Sequence, residues 1–148
     1  MLETSGPPPS DTSVSFITGT DRVIVMRHGP PENIVFARIM FPAAAFGDSG
    51  QLVSVDLRPR PGVYGLEMST SIAPRSGVTV VFEFARYFSA PALARQVYRS
   101  NAAFERALAV GRLLPDNNIE LLPPIDTEID KAGAAVPGAG SYLVAAPQ

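Results

Sequence analysis

His28 is the only histidine in the chain and lies in the segment RHGPPE, residues 27–32. A histidine oriented by a carboxylate can act as a general base near neutral pH, which would give this role to His28 with Glu32. A catalytic triad also needs a nucleophile in contact with the base, and the sequence has no serine in a nucleophile-elbow pattern. We therefore interpret His28 as a polar loop residue and predict that the chain is not an enzyme.

Three carboxylates alternate along the chain at Asp126, Glu128 and Asp130. In an extended segment they share one face, and oxygen ligands suit Ca²⁺, which takes six to eight of them. These residues are weak candidates for a metal site. The favoured interpretation is that they form a solvated acidic segment. The nearby run 115–120 (PDNNIE) lacks the glycine and glutamate spacing of an EF-hand loop and predicts a turn. No cofactor is predicted.

Arginine accounts for eleven of the twelve basic residues, and four tyrosines accompany them. Arg and Tyr are enriched at protein interfaces, where planar or amphipathic groups make contacts at a low cost in conformational entropy. Arg58 and Arg60 alternate with prolines, which presents two cations on a stiff segment suited to an acidic partner. The predicted interaction residues are Pro7, Pro8, Pro9, Arg58, Arg60, Tyr142, Leu143 and Val144.

The absence of cysteine excludes thiolate catalysis, zinc ribbons, iron–sulfur clusters and disulfides. The net charge of −2 and a pI near 5.3 argue against nucleic acid as the partner. No segment reaches the roughly 18 consecutive apolar residues of a membrane span. The N-terminus lacks a signal-peptide pattern, so a soluble chain is expected, with an extracytoplasmic location slightly favoured if a leader has been removed.

Hydrophobic residues alternate with period two along most of the chain, which predicts strands. The clearest candidate is Val78–Phe88, where Val78, Val80, Phe82, Phe84 and Phe88 share a face. Five further strands are predicted at Val14–Ile17, Val23–Met26, Ile34–Phe41, Leu52–Leu57 and Val63–Met68. Gly- and Pro-containing turn signals separate these runs at intervals of roughly 8–16 residues, close to the spacing of antiparallel sandwiches.

Residues 89–124 give a mixed signal. Ser89 and Pro91 resemble a helix start, so we predict a short helix over 91–99. A hairpin of roughly 104–114 with 119–123 is predicted after it, because the alternating runs flank a four-residue turn.

The predicted fold is mainly β, an antiparallel β-sandwich of immunoglobulin-like or jelly-roll-like architecture. The sequence divides into a Pro-rich extended tail over 1–12, the sandwich over 13–124, and an acidic then Gly/Ala-rich tail over 125–148. The YLVA motif at 142–145 is expected to add a strand to the body or to a neighbour.

Three functions follow from this architecture. The favoured one is a non-catalytic structural or accessory subunit that binds into a larger protein assembly through its extended tails and its Arg/Tyr surface, an assembly for which a membrane-associated location is left open. The alternatives are a carbohydrate- or calcium-binding sandwich module, which would use the loops 58–62, 74–77 and 115–118, and a small carboxylate-based hydrolase.

Overall fold

The computed structural model describes residues 3–4, 9–30, 34–75, 77–83, 88–89, 108–125, 127 and 131–146. These residues are mainly β and form two antiparallel sheets together with one two-residue ladder. They include no helix that is long and apolar enough to cross a membrane. In chain order the strands are β1 (Glu3–Thr4), β2 (Thr12–Ile17), β3 (Arg22–Arg27), β4 (Val35–Phe41), β5 (Leu52–Pro59), β6 (Gly65–Thr70), β7 (Thr79–Glu83), β8 (Phe88–Ser89), β9 (Ala109–Leu113), β10 (Ile119–Leu121), β11 (Lys131–Ala135) and β12 (Gly140–Ala145).

The six strands predicted from alternation are confirmed as β2 to β7; burial alternates along β5, whereas neighbouring residues are buried together in β4 and β7. In β5, for example, Val53, Val55 and Leu57 are buried while Asp56 and Arg58 are exposed. The predicted continuation of β7 over 84–87 lies outside the described residues, as does the helix predicted at 91–99.

The larger sheet has six strands in the order β10-β9-β12-β6-β5-β2, and the smaller has four in the order β11-β7-β4-β3. Inward-facing residues of both sheets form a single buried cluster. Burying apolar area on both sheets at once is the main favourable contribution to folding in such an arrangement. The cluster includes Val53, Val55, Leu66, Met68 and Val144 from the larger sheet and Ile24, Ile39, Phe41, Val80 and Phe82 from the smaller one.

The chain passes repeatedly between the sheets. The hairpin β3–β4 lies in the smaller sheet, while the flanking strands β2 and β5 pair with each other in the larger one. The connections β6 to β7 and β11 to β12 also change sheets. Isolated bridges join Pro9 to His28 and Pro124 to Ala134. Pro9 precedes β2 and Pro124 follows β10 of the larger sheet, while His28 follows β3 and Ala134 lies in β11 of the smaller one.

The described part of the predicted hairpin is present as β9 paired with β10. Asn117 adopts a left-handed conformation with φ of 66°, and its backbone N–H donates to Leu114 O over 3.0 Å. The Asp116 carboxylate accepts the backbone N–H of Asn118 over 3.1 Å. Asp and Asn side chains stabilise such turns by bonding backbone groups two residues away. The run 115–120 is therefore a turn and the start of β10.

The C-terminal segment differs from the tail expected from its composition. β11 pairs with β7 at the edge of the smaller sheet, and β12 lies between β6 and β9 inside the larger one. The small residues that suggested a linker serve close packing. A Cβ atom added at Gly133 would lie 2.9 Å from Val81 Cγ2 and 3.1 Å from Ile125 Cγ1, so a larger residue would require these side chains to shift.

The N-terminal segment is also paired within the chain. Glu3 and Thr4 form a ladder with Ser89 and Phe88, and Pro9 is buried at its bridge to His28. At both ends of the chain, described residues that were expected to extend away from the body are therefore held by backbone pairing to the chain itself.

Tyr142 fixes the corner at which β11 passes to β12. The side chain is buried, and its hydroxyl donates a hydrogen bond to Gly138 O over 2.7 Å. Gly138 itself has a φ of 135°, which residues with a Cβ rarely adopt. Burial raises the pKa of Tyr142, while the positive charge of Arg112 and the bond to Gly138 act in the opposite direction.

We predict that Tyr142→Phe lowers the free energy of unfolding by about 1–2 kcal/mol at pH 7, because Gly138 O loses its buried donor. The deficit relative to wild type should shrink above pH 10. A tyrosine whose pKa is raised by folding stays protonated in the native state while it ionises in the unfolded one, so the wild-type chain loses stability there and the variant does not. Urea denaturation at pH 7 and pH 10.5 measures both values. A deficit that is the same at both pH values would contradict this account.

Candidate binding surface

Polar side chains cover the outer face of the larger sheet where β2, β5, β6 and β12 lie side by side. Directly paired residues of antiparallel strands share a face, so the ladders define rows across the sheet. One row is Ser13, Asp56 and Ser69, and the next is Arg58, Glu67 and Ser141. We call this surface the polar face and define it by these residues together with Ser15 and Ser54.

Hydrogen bonds between neighbouring strands hold the serines of the polar face. Ser13 Oγ donates to Asp56 Oδ1 over 2.6 Å, and the hydroxyls of Ser15 and Ser54 lie 3.0 Å apart. The backbone N–H of Ser54 donates to Ser71 Oγ over 2.8 Å. These bonds fix the rotamers of short side chains, which makes the arrangement preorganised for a partner.

The two arginines of the predicted stiff segment have different surroundings. Arg60 Nη1 lies 3.2 Å from Glu67 Oε1 and 3.5 Å from Ser141 Oγ. Its Nε is buried and has no acceptor among the described residues. Arg58 is exposed at the centre of the polar face and forms no ion pair or hydrogen bond with any residue that the structure describes. Among the described residues of this face, Arg58 is therefore the exposed cation without an ion pair.

A shallow, open depression of about 380 Å³ lies beside Arg58. Its lining combines a cation, two carboxylates and two hydroxyls over a short distance, which suits a polar ligand or the polar rim of a protein interface. The lining residues are Asp56, Arg58, Glu67, Met68, Ser69, Gly140 and Ser141. Alternation along each strand marks such outward residues, but only the register shows that β12 brings Ser141 beside Glu67.

The remaining predicted interaction residues lie elsewhere. Tyr142, Leu143 and Val144 are fully buried in β12, so the motif adds its strand to the chain's own body, where its side chains cannot meet a partner. Pro9 is buried, and Pro7 and Pro8 lie outside the described residues. The metal candidates Asp126, Glu128 and Asp130 also lie outside them, and the described residues contain no group of three His, Asp or Glu residues able to hold a metal ion.

The aromatic half of the expected Arg/Tyr surface is not found on the described surface. Tyr64 and Tyr142 are both completely buried, while Tyr87 and Tyr98 lie outside the described residues. All seven Phe and Tyr side chains that the structure describes are buried, so an exposed stacking platform is absent from that part of the chain.

The interpretation of His28 as a polar loop residue is wrong. The side chain is 1% exposed and packs edge-on against two rings, with centroid distances of 5.3 Å to Phe36 and 6.1 Å to Tyr64. Phe36 and Tyr64 stack on each other at 5.5 Å. The backbone N–H of His28 donates to Ile34 O over 2.7 Å. Loop composition around His28 predicts exposure, but pairing with Pro9 and Ile34 turns the ring inward.

We predict that His28→Ala lowers the free energy of unfolding by about 2–4 kcal/mol, because it leaves a cavity among packed rings. His28→Phe keeps a ring of similar size and should cost clearly less. Urea denaturation at pH 7 compares the two variants. A change within about 0.5 kcal/mol for His28→Ala, as for an exposed loop position, would contradict the packing described here.

Comparisons with known proteins give the chain no relative: no protein-family model, curated protein or solved structure matches it. What the polar face does must therefore follow from its own geometry.

Proposed function

We propose that the chain is a non-catalytic structural or accessory subunit that binds into a larger protein assembly. It makes this contact through the polar face, with Arg58 receiving an acidic group of the partner. The observation that carries the proposal is Arg58, which is exposed in a preorganised polar depression and forms no ion pair among the described residues. Arginine forms bidentate hydrogen bonds with carboxylates and is favoured where charge is partly desolvated by a partner.

We further propose that the two sheets form a β-sandwich of immunoglobulin-like or jelly-roll-like type. Three observations support this. The sheets share one buried cluster, the β3–β4 hairpin is nested between β2 and β5, and Tyr142 bonds Gly138 four residues upstream at a change of sheet. The last contact corresponds to the tyrosine corner of Greek-key sandwiches. A sandwich of this kind offers rigid sheet faces on which a binding surface can be built.

The partner contact proposed here lies on the larger sheet, whereas the sequence predicts it on the extended tails. Glu3–Thr4 pairs with β8 on one side, and β12 pairs with β6 and β9 on both sides, so these segments are engaged within the chain. The polar face needs no such rearrangement to meet a partner, because its side chains are already ordered and solvent-accessible.

A sugar is a second candidate ligand for the same depression, since its hydroxyls would pair with Asp56, Glu67 and Ser69. The absence of an exposed ring among the described aromatic side chains makes this the weaker proposal, because sugar-binding sites usually stack the sugar on an aromatic face. If the chain binds a glycan and Asp56→Asn lowers the affinity for that glycan, the sugar would be favoured over a protein as the ligand of this depression.

We predict that Arg58→Glu weakens the partner complex at least about tenfold in Kd, or roughly 1.4 kcal/mol. A photoreactive residue at position 69 would capture the partner in the source cell, and the purified partner would then be titrated with wild type and variant by calorimetry. Arg75→Glu, which makes the same charge change on a loop away from the polar face, should stay within twofold.

Equal loss of affinity in both variants would mean that only net charge matters. No crosslink at position 69, or unchanged affinity in Arg58→Glu, would also contradict the proposal.

A further inference from the structure

The six-stranded and four-stranded sheets have four edge strands, β2, β3, β10 and β11, and three of them are protected against pairing. β3 has a bulge between Met26 and Arg27 and an exposed arginine at each end. β10 has only three residues and is followed by two prolines. The free side of β11 is covered by the bridge from Pro124 and by Ile125 N–H, which donates to Gly133 O over 3.0 Å. Bulges, charges, shortness and covering segments are the usual protection of sheet edges.

Among the residues that the structure describes, β2 has none of these features. It is six residues long, contains no charged residue or proline, and keeps a regular register with β5 along its whole length. Its sequence, TSVSFI, alternates serine and apolar residues from Ser13 to Phe16. An edge strand of this length and composition is a template for pairing with another strand.

The backbone groups that face the open side of β2 can be assigned. The N–H of Thr18 donates to Gln51 O over 2.8 Å, so Thr18 directs its backbone groups towards the β5 side. Backbone groups alternate between the two sides of an antiparallel strand. The backbone N–H and C=O groups of Val14 and Phe16 therefore point towards β5. Those of Ser13, Ser15 and Ile17 point away from it. No hydrogen bond to these outward groups is found among the described residues.

A cation stands beside this edge. The Arg22 guanidinium carbon lies 5.7 Å from the centroid of the Phe16 ring, and Arg22 is exposed. It forms no ion pair within the described part of the chain. A strand added to β2 would place a side chain next to Phe16 on the same face, within reach of this charge.

We propose that β2 accepts an extended, acidic segment of another protein as an added strand, with main-chain hydrogen bonds to Ser13, Ser15 and Ile17 and an acidic side chain beside Arg22. The inference rests on the proposed function in that the chain binds other proteins, and it names the chemistry of one such contact. A second copy of this chain is a poorer occupant, because β2 carries no acid to meet Arg22.

The test uses the full chain and a fluorescein-labelled decapeptide that alternates valine and threonine between two terminal aspartates. Anisotropy should show saturable binding, and a peptide with arginine in place of aspartate should bind at least about tenfold more weakly. Amide hydrogen exchange followed by NMR should show that Ser13, Ser15 and Ile17 exchange quickly in the free chain and slowly in the complex.

Two variants block the edge in different ways. Ser15→Pro removes an outward N–H without touching the ladder with β5, and Ser15→Glu places a negative charge beside the acidic peptide. Each should weaken peptide binding at least about tenfold, whereas Leu121→Glu, which makes the same change of charge at an exposed position on the edge strand β10, should stay within twofold. If Ser15→Pro fails to fold, the comparison of Ser15→Glu with Leu121→Glu tests the proposal.

Several results would overturn the inference. One is that the edge variants bind the peptide as tightly as wild type, and another is that the arginine peptide binds as tightly as the aspartate peptide. A third is that the amides of Ser13, Ser15 and Ile17 are protected from exchange in the free monomer, which would mean that the chain covers its own edge. Protection that appears only with concentration-dependent dimerisation would assign the edge to a second copy. The peptide assay tests only the edge of β2, and the Arg58→Glu titration tests only the polar face. A negative result in one experiment therefore does not contradict the proposal that the other tests.

Discussion

The whole structure depends on one constraint: residues from two sheets must bury their apolar sides in a single cluster. A sheet that has one apolar face cannot stand alone in water, so each sheet provides the cover that the other needs. This requirement explains why buried residues recur at every second position in a strand such as β5, and why the chain crosses between sheets. It also leaves the outer faces free to carry polar groups, which is where the candidate binding surface lies.

The C-terminal part of the sequence contributes to this shared cluster through β12. It is an inner strand of the larger sheet, with β6 on one side and β9 on the other, and its Tyr142 and Val144 enter the shared cluster. Removing an inner strand would break two ladders and open the core, whereas losing a tail would cost little. The same strand positions Ser141 on the polar face, so the fold and the candidate site share one element.

The sequence predicts the strands well because period-two burial is a local signal. β2 to β7 could be placed from alternation and turn residues alone. The role of 131–145 could not, because alanine and glycine have a low strand propensity and resemble a linker. Gly133 is small because Val81 and Ile125 pack against it, and such a contact is invisible until the register is known. His28 was misjudged for a related reason, since its burial depends on pairing with distant residues. On the polar face, the outward positions were predictable, but the neighbours of Arg58 and Arg60 were not.

Native-state hydrogen exchange of β12 tests the central claim most directly. The N–H of Val144 donates to Tyr64 O over 2.8 Å within the larger sheet. If β12 belongs to the shared core, the amides of Tyr142 and Val144 exchange only through global unfolding, with a free energy equal to that from denaturant titration. Exchange of these amides at a clearly lower free energy, while those of β5 stay protected, would show that the C-terminal segment is a separable tail and would contradict the account.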